Sequence, residues 1–345
     1  MNSSNNSYFC NIILTPHRDE FPWKRKMSKL SNNHGRAYEF ACLNALRDAI
    51  ARVRSVEIFK NSSFEAAENA WNTLCESDRT LYTLSALSTI DTIFALEPNI
   101  MERNGEDDVL TLYIQPDKRG ETADVRDIII ERKDIVWEIG LSIKHNHQAV
   151  KHSRIAKNLD FGSKWYGIPC SETYWKEIKP VFDVLEREKT KGTLFKDLVG
   201  KEEKVYVPLL NAFAKEITTQ VRKRPEIPQK LIEYLLSRYD FYKVVSTDEK
   251  RLTTIQSFNM YGTLNLPGKY SKPTLKVPHI QCPKHLLHIG FKPNSKTSLL
   301  LCLDNGWQFS FRLHNAEKQV NTSLKFDIQI VGMPAEINIK FNCKW

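Results

Sequence analysis

Between Asp124 and Lys144 the chain alternates in a way that suits a pleated strand. Val125–Ile130 is an apolar run with Asp124 and Asp127 near its start, and Glu131-Arg132-Lys133-Asp134 is polar. Ile135–Ile143 then sets Trp137, Ile139, Leu141 and Ile143 against Glu138, Gly140, Ser142 and Lys144. A period of two sends alternate side chains to opposite faces, so a β-hairpin with one face in a core is predicted. With Arg132-Lys133 as a two-residue loop, Glu131 pairs with Asp134 and Asp127 falls opposite Glu138. Cross-strand partners share a face, which collects Asp127, Glu138, Ser142 and Lys144 on one side. Asp124, three positions from Asp127, points away unless a bulge turns it towards Ser142.

Carboxylates and a lysine on one face make a candidate site for a hard divalent cation, with Asp127, Asp124 and Glu138 as ligands. Oxygen ligands suit magnesium, and a nearby lysine can orient or help deprotonate an attacking water. The competing reading is a solvated sheet face with no chemistry, because short motifs match by chance. The layout resembles the PD-(D/E)xK nucleases, whose aspartate and (D/E)-x-K half-motif lie on adjacent strands. Here the half-motif reads Ser142-Ile143-Lys144, with serine in the acidic place, and Glu138 is the expected substitute carboxylate. The longer string DVRDIII…WEIGLSIKHNHQAVKHSRIAKNLDFG is similar to the HaeIII-type family of type II restriction endonucleases, which cut duplex DNA at GGCC. The likeness is strongest over Asp124–Pro169, weaker over His34–Leu46, and returns at Leu286–Pro334.

That resemblance implies an α/β (α+β) fold, a PD-(D/E)xK core of mixed sheet flanked by helices with a β-rich C-terminal domain. It also implies Mg2+ as cofactor, 5′-phosphate ends, and a homodimer whose two-fold axis matches a palindromic site. A cognate DNA methyltransferase would be the genetic partner in a bacterial restriction system. Two other readings stay open: a structure-specific repair or recombination nuclease, and a non-catalytic DNA-binding protein whose site has decayed at Ser142.

The rest of the chain is consistent with a polyanionic partner. The 345 residues carry a net charge of +9, with a pI near 9.0, which favours nucleic acid or an acidic surface. No apolar run is long enough to span a bilayer and MNSSNNSYF is no signal peptide, so a cytoplasmic protein is expected. The seven cysteines are scattered without a C-x-x-C pair, as for reduced thiols. The basic run Trp23-Lys24-Arg25-Lys26 is either a phosphate-touching arm or a loose terminus.

Gly35–Arg54 reads as a helix with a stripe of Cys42, Leu46, Ala49 and Val53. Glu39 lies one turn back on its border, either lining the active site or snorkelling to water. Phe64–Leu96 holds further core helices, and Val109–Gln115 a strand beside the hairpin. Past the hairpin, Asn146 and His147 are placed to touch the scissile phosphate. A helix is expected from Gln148, with Lys151, Arg154 and Lys157 three apart along a DNA backbone.

Residues 1–200 are expected to hold the helix-rich N-terminal part and nuclease core, and 201–345 a helical segment and a β-rich DNA-recognition domain. Strands are predicted at Leu286–Phe291, Ser298–Leu303, Trp307–Leu313, Leu324–Val331 and Ile337–Phe341, with Asp304-Asn305-Gly306 as a hairpin turn. In GWQFSFRLHNA, Gln308, Ser310, Arg312 and His314 alternate with apolar residues. Gln308, Arg312, His314 and the following Asn315 are the candidates for base or phosphate contacts, arginine to guanine being the commonest specific one.

Overall fold

Alternating strands need something to bury their apolar edge, and helices from both halves of the chain supply it. The computed structural model describes residues 27–105, 108–116, 123–146 and 151–345, without the side chains of 27–32, 151 and 152. In chain order come α1 (Met27–Ile50), β1 (Val56–Ile58), α2 (Ser62–Asn72), α3 (Glu76–Leu87) and α4 (Ile90–Leu96). Then follow β2 (Leu110–Ile114), β3 (Ile128–Arg132), β4 (Trp137–His145) and β5 (Lys151–Ala156). The helices α5 (Phe161–Tyr166), α6 (Glu172–Thr190), α7 (Val207–Lys223) and α8 (Ile227–Leu235) come next. The strands β6 (Phe241–Thr247), β7 (Leu252–Phe258), β8 (Leu286–Phe291), β9 (Ser298–Leu303), β10 (Gln308–His314), β11 (Ser323–Gly332) and β12 (Lys340–Lys344) complete it.

Local chemistry explains many of the boundaries. Asn61, Asp160 and Ser171 cap the starts of α2, α5 and α6 with their side-chain oxygens, as short polar residues do at helix N-termini. Pro208 and Pro228 stand in the first turns of α7 and α8, where the missing N–H costs nothing. Gly167, at φ 76°, closes α5 in the left-handed conformation that glycine adopts without strain.

The strands form two sheets, ordered β1-β2-β3-β4-β6-β7-β12 and β5-β11-β10-β9-β8. In the first, β1/β2 and β4/β6 are parallel and the other pairs antiparallel; the second is antiparallel throughout. This is the expected α/β architecture, a mixed sheet flanked by helices with a β-rich second part. One face of the first sheet (Ile130, Ile139, Leu141, Ile143, Val244 and Ile255) packs on α1 to α4. The apolar face of the second, with Phe309, Phe311 and Phe326, packs on α5 to α8 around Trp165 and Phe213. The sheets do not divide the chain at residue 200: β5 joins the second, while β6, β7 and β12 return to the first.

Two local expectations are corrected. The hairpin turn is four residues long, Lys133–Val136, with Val136 left-handed at φ 50°. Arg132 cannot be its tip because it is buried, giving hydrogen bonds to Asp108 at 2.6 Å and the Asn99 carbonyl at 3.0 Å. The stretch from Lys151 is strand β5, paired with β11, and residues 147–150 lie outside the described ones. Ser153 and Ile155 are buried while Arg154 is exposed, so period two prevails over the three-residue spacing of the basic residues.

A buried carboxyl ties this core together. Glu97 accepts hydrogen bonds at 2.6 Å from the Tyr242 hydroxyl and from the Asn265 backbone N–H, while its Oε2 has no partner among the described residues. Burial pushes its pKa up to about 7, against those two bonds. The fold therefore holds this proton more tightly than the unfolded chain does. The resulting stability is complete below the unfolded pKa of about 4.3 and is lost as pH rises towards 7, a span worth about 4 kcal/mol. Glu97→Gln is expected to remove that part of the pH dependence, measured by denaturant unfolding from about pH 5 to pH 8. Parallel curves for variant and parent would refute it.

Candidate active site

The even slip in the hairpin leaves Asp127, Glu138, Ser142 and Lys144 on one face, as predicted. Ile128 lies opposite Leu141 and Glu131 opposite Glu138, so Glu138 does not face Asp127. The Asp127 N–H donates to the Leu141 carbonyl at 2.8 Å, which brings Asp127 level with Ser142. Its Oδ2 accepts from the Ile143 N–H at 2.6 Å, Lys144 Nζ at 2.9 Å and Ser142 Oγ at 3.4 Å. Asp127 and Lys144 keep side-chain exposures of 24% and 27%, enough to meet a ligand. Burial works against the charge of Lys144, but Asp127, and more weakly Glu39, hold its pKa above the ordinary lysine value. Glu39 reaches this end of the sheet from α1, in a cleft it lines with Arg36, Ser62, Ser63, Ile114 and Pro116. Burial, with Glu39 and Asp127 adding to it, pushes the Cys42 thiol up to about 12.

The carboxylates expected around one cation are divided. Asp124 is buried and takes a two-pronged contact from Arg126, at 2.8 Å from Nε and 2.9 Å from Nη2. Arg126 Nη1 holds Glu138 at 2.8 Å, and its guanidinium lies 4.0 Å from the centre of the Tyr239 ring. The predicted alternatives for Asp124, away from the site or bulged towards Ser142, both give way to this arginine clamp. Arg126 crosses β4 at Gly140, where a Cβ would stand 2.1 Å from its Cδ and 2.8 Å from its Cβ. Gly140→Ala must therefore displace the arginine, and a loss of about 1–3 kcal/mol in denaturant unfolding is expected. Unchanged stability would show that the clamp is dispensable to the fold.

Among the described residues no three or more His, Cys, Asp or Glu side chains gather as a metal cage. What the site offers is Asp127 with Glu39 close by. Hard oxygens in small number suit magnesium, which keeps several waters and takes one or two carboxylates plus substrate phosphate. The donor set fits that ion.

Around this centre, Asn146 is held at φ 52°. Its side chain exchanges hydrogen bonds with Asp248, giving one to Oδ2 at 3.0 Å and accepting one from the backbone N–H at 3.1 Å. His145 also meets Asp248, at 2.7 Å, so both residues lock the end of β4 to the turn after β6. His147 lies outside the described residues, as does the side chain of Lys151.

The other candidates meet on the second sheet. Arg154 pairs with Lys325, His314 also pairs with Lys325, and Arg312 pairs with Asp327. This aligns Arg154, Arg312 and His314 on one face, with Gln308 further along it. Burial first, then Lys325 and Arg312, lowers the His314 pKa. Asn315 is employed differently, its amide bonding the Glu317 and Gln319 carbonyls at 2.7 and 2.6 Å in the turn to β11.

Beside the Asp127–Lys144 pair on the mixed sheet lies an antiparallel sheet with Arg154, Arg312 and Lys325 on it, and sequence comparison identifies the class of protein. Residues 35–334 match the family described as HaeIII restriction endonuclease, and the chain belongs to that family. It is 48% identical over 312 residues to the type II restriction enzyme HaeIII of Haemophilus aegyptius, covering 90% of this chain and 97% of that protein. No solved structure matches. The chain is thus a type II restriction endonuclease, a site-specific hydrolase of DNA, and the repair-nuclease and non-catalytic readings give way. No helix among the described residues is long and apolar enough to cross a membrane.

Proposed function

We propose that this enzyme, with a PD-(D/E)xK core, hydrolyses one phosphodiester bond in each strand of duplex DNA at GGCC, with Mg2+ and 5′-phosphate ends. The observation that carries the reading is the Lys144–Asp127 contact of 2.9 Å on the open face of the sheet, with Glu39 in electrostatic reach. Asp127 and Glu39 would hold the ion, Asp124 and Glu138 being occupied by Arg126. When bound, the ion supplies positive charge to the phosphoryl oxygens.

The chain's own groups do the rest. Lys144, kept protonated by Asp127, donates hydrogen bonds to the attacking water and to the phosphoryl oxygens as negative charge builds on them. Asp127 fixes that ammonium and, through the Ile143 N–H, the strand that bears it. Ser142 holds the same carboxylate rather than replacing the missing acid. Water oxygen bonds to phosphorus as the bond to O3′ breaks; the water gives up a proton to solvent, and O3′ leaves and takes one from solvent, so the products are a 5′-phosphate and a 3′-hydroxyl. Arg154, Arg312, His314 and Gln308 read or grip the duplex from the second sheet. A palindromic site calls for a two-fold homodimer with one site per strand, acting in the bacterial cytoplasm beside a methyltransferase that protects host DNA.

Digestion of a sequenced plasmid in magnesium, with the cut ends mapped, tests this. Discrete fragments ending within GGCC and bearing 5′-phosphates are expected. Cuts at another sequence would overturn the assigned site, and a smear would overturn sequence-specific cutting.

A further inference from the structure

Asp127 and Ser142 belong to a row of residues that continues across the sheet beyond the catalytic pair. Ser142 lies level with Lys243 on β6, Lys243 with Gln256 on β7, and Gln256 with Lys340 on β12. Laterally aligned residues share a face, and the intervening Tyr242, Val244, Ile255, Phe341 and Cys343 pack on the helices behind. Lys144, Lys243 and Lys340 therefore stand on the same side of the sheet, with Gln256, between the last two, donating to the Ile337 carbonyl at 3.2 Å.

The lower part of that side is covered. Phe241 and Phe258 stack at 4.6 Å and belong to the core beneath the second sheet. Where this cover ends, Ser142, Lys144 and Lys243 line a crevice with Phe241, Phe258 and Ile330. Further out the face is polar and uncharged between the lysines, with Gln256 and Thr254 half-buried and Asn342 and Lys340 exposed.

The lysines sense one another. Burial, then Lys144, then Lys340 depress the Lys243 pKa to about 8. Like charges on one face favour the approach of a polyanion.

We propose that Lys243 and Lys340 form a phosphate track that carries one DNA strand sideways across the sheet, from the catalytic pair at Asp127 and Lys144 to the β12 edge. This rests on the nuclease reading above. Strands lie about 4.8 Å apart, so Lys340 stands two strands, about 10 Å, beyond Lys243. Successive phosphates of one strand lie about twice the 3.4 Å axial rise apart, so that distance spans roughly one to two phosphate steps. Lys243 meets the phosphate next to the cut, and Lys340 grips the flank without reading bases.

The test is binding of a short GGCC duplex in calcium, followed by fluorescence anisotropy across a salt series. Lys243→Gln and Lys340→Gln are each expected to weaken binding several-fold. Each should also reduce the slope of log K against log salt by about 0.9. Lys243→Arg should restore the slope, which a packing role for the lysine stem would not produce. Lys340 is exposed, so its variant remains informative even if Lys243→Gln folds poorly. Parental slopes in both Gln variants overturn the track, and a change at Lys340 alone overturns the lateral path through Lys243. A parent that does not cut duplex DNA in magnesium would instead remove the nuclease reading itself.

Discussion

Asp127→Ala is expected to reduce cleavage of a GGCC duplex at least about a thousandfold, roughly 4 kcal/mol of transition-state stabilisation, while binding in calcium stays within a few-fold of the parent. The substitution removes the carboxylate that would hold the ion and the acceptor for three donors, Ser142 Oγ, the Ile143 N–H and Lys144 Nζ. A partly buried ammonium and a backbone N–H then lose their acceptor, so a fall in thermal stability should accompany the loss. Asp127→Asn separates the two effects, because it keeps an acceptor oxygen while removing the charge. It should recover stability but not cleavage. Full activity in Asp127→Ala would move the role to Asp124, freed from Arg126 in the working complex.

The second large effect is at Lys144. Lys144→Ala should slow single-turnover cleavage about a hundred- to a thousandfold, again with little change in calcium-supported binding. The side chain touches one carboxylate and an open cleft, so its removal leaves no large cavity. Asp127 would then lose the cation beside it and repel the incoming phosphate, which adds to the loss. Retained cleavage in this variant would place the chemistry away from the Asp127–Lys144 pair.

Much of this centre was legible in the hairpin because the side-chain period of a strand is two. The turn was misjudged by two residues, which slips the pairing by four, and an even slip leaves faces intact. The turn itself was not legible, since Arg132 is drawn into the core by Asp108 from a distant segment. The partition of the carboxylates was hidden for a similar reason. Arg126 sits between two aspartates in an apolar run, and nothing local shows that it will lie across Gly140. That glycine was the available signal, a missing side chain in the middle of a strand.

Nothing local marks β5 as a strand, because its partner, β11, lies far along the chain. By contrast, Phe241–Phe258 carries a strand signal of its own. Val244, Val245 and Thr247 come before Asp248-Glu249-Lys250 and Thr253, Thr254 and Ile255 after it, two β-branched clusters about a polar turn, and Lys243 lies beside the first.

The strand order has a consequence for how the enzyme comes into being. β4, which bears Lys144, gains its parallel neighbour β6 only after β5 and four helices have intervened, and the sheet edge closes with β12. Such non-local pairing folds slowly. A nascent chain on the ribosome already displays its acid and its amine, yet lacks the floor beneath the incoming strand. If the path across β6, β7 and β12 carries DNA, cutting would need the strands made last as well as the hairpin that bears Asp127 and Lys144.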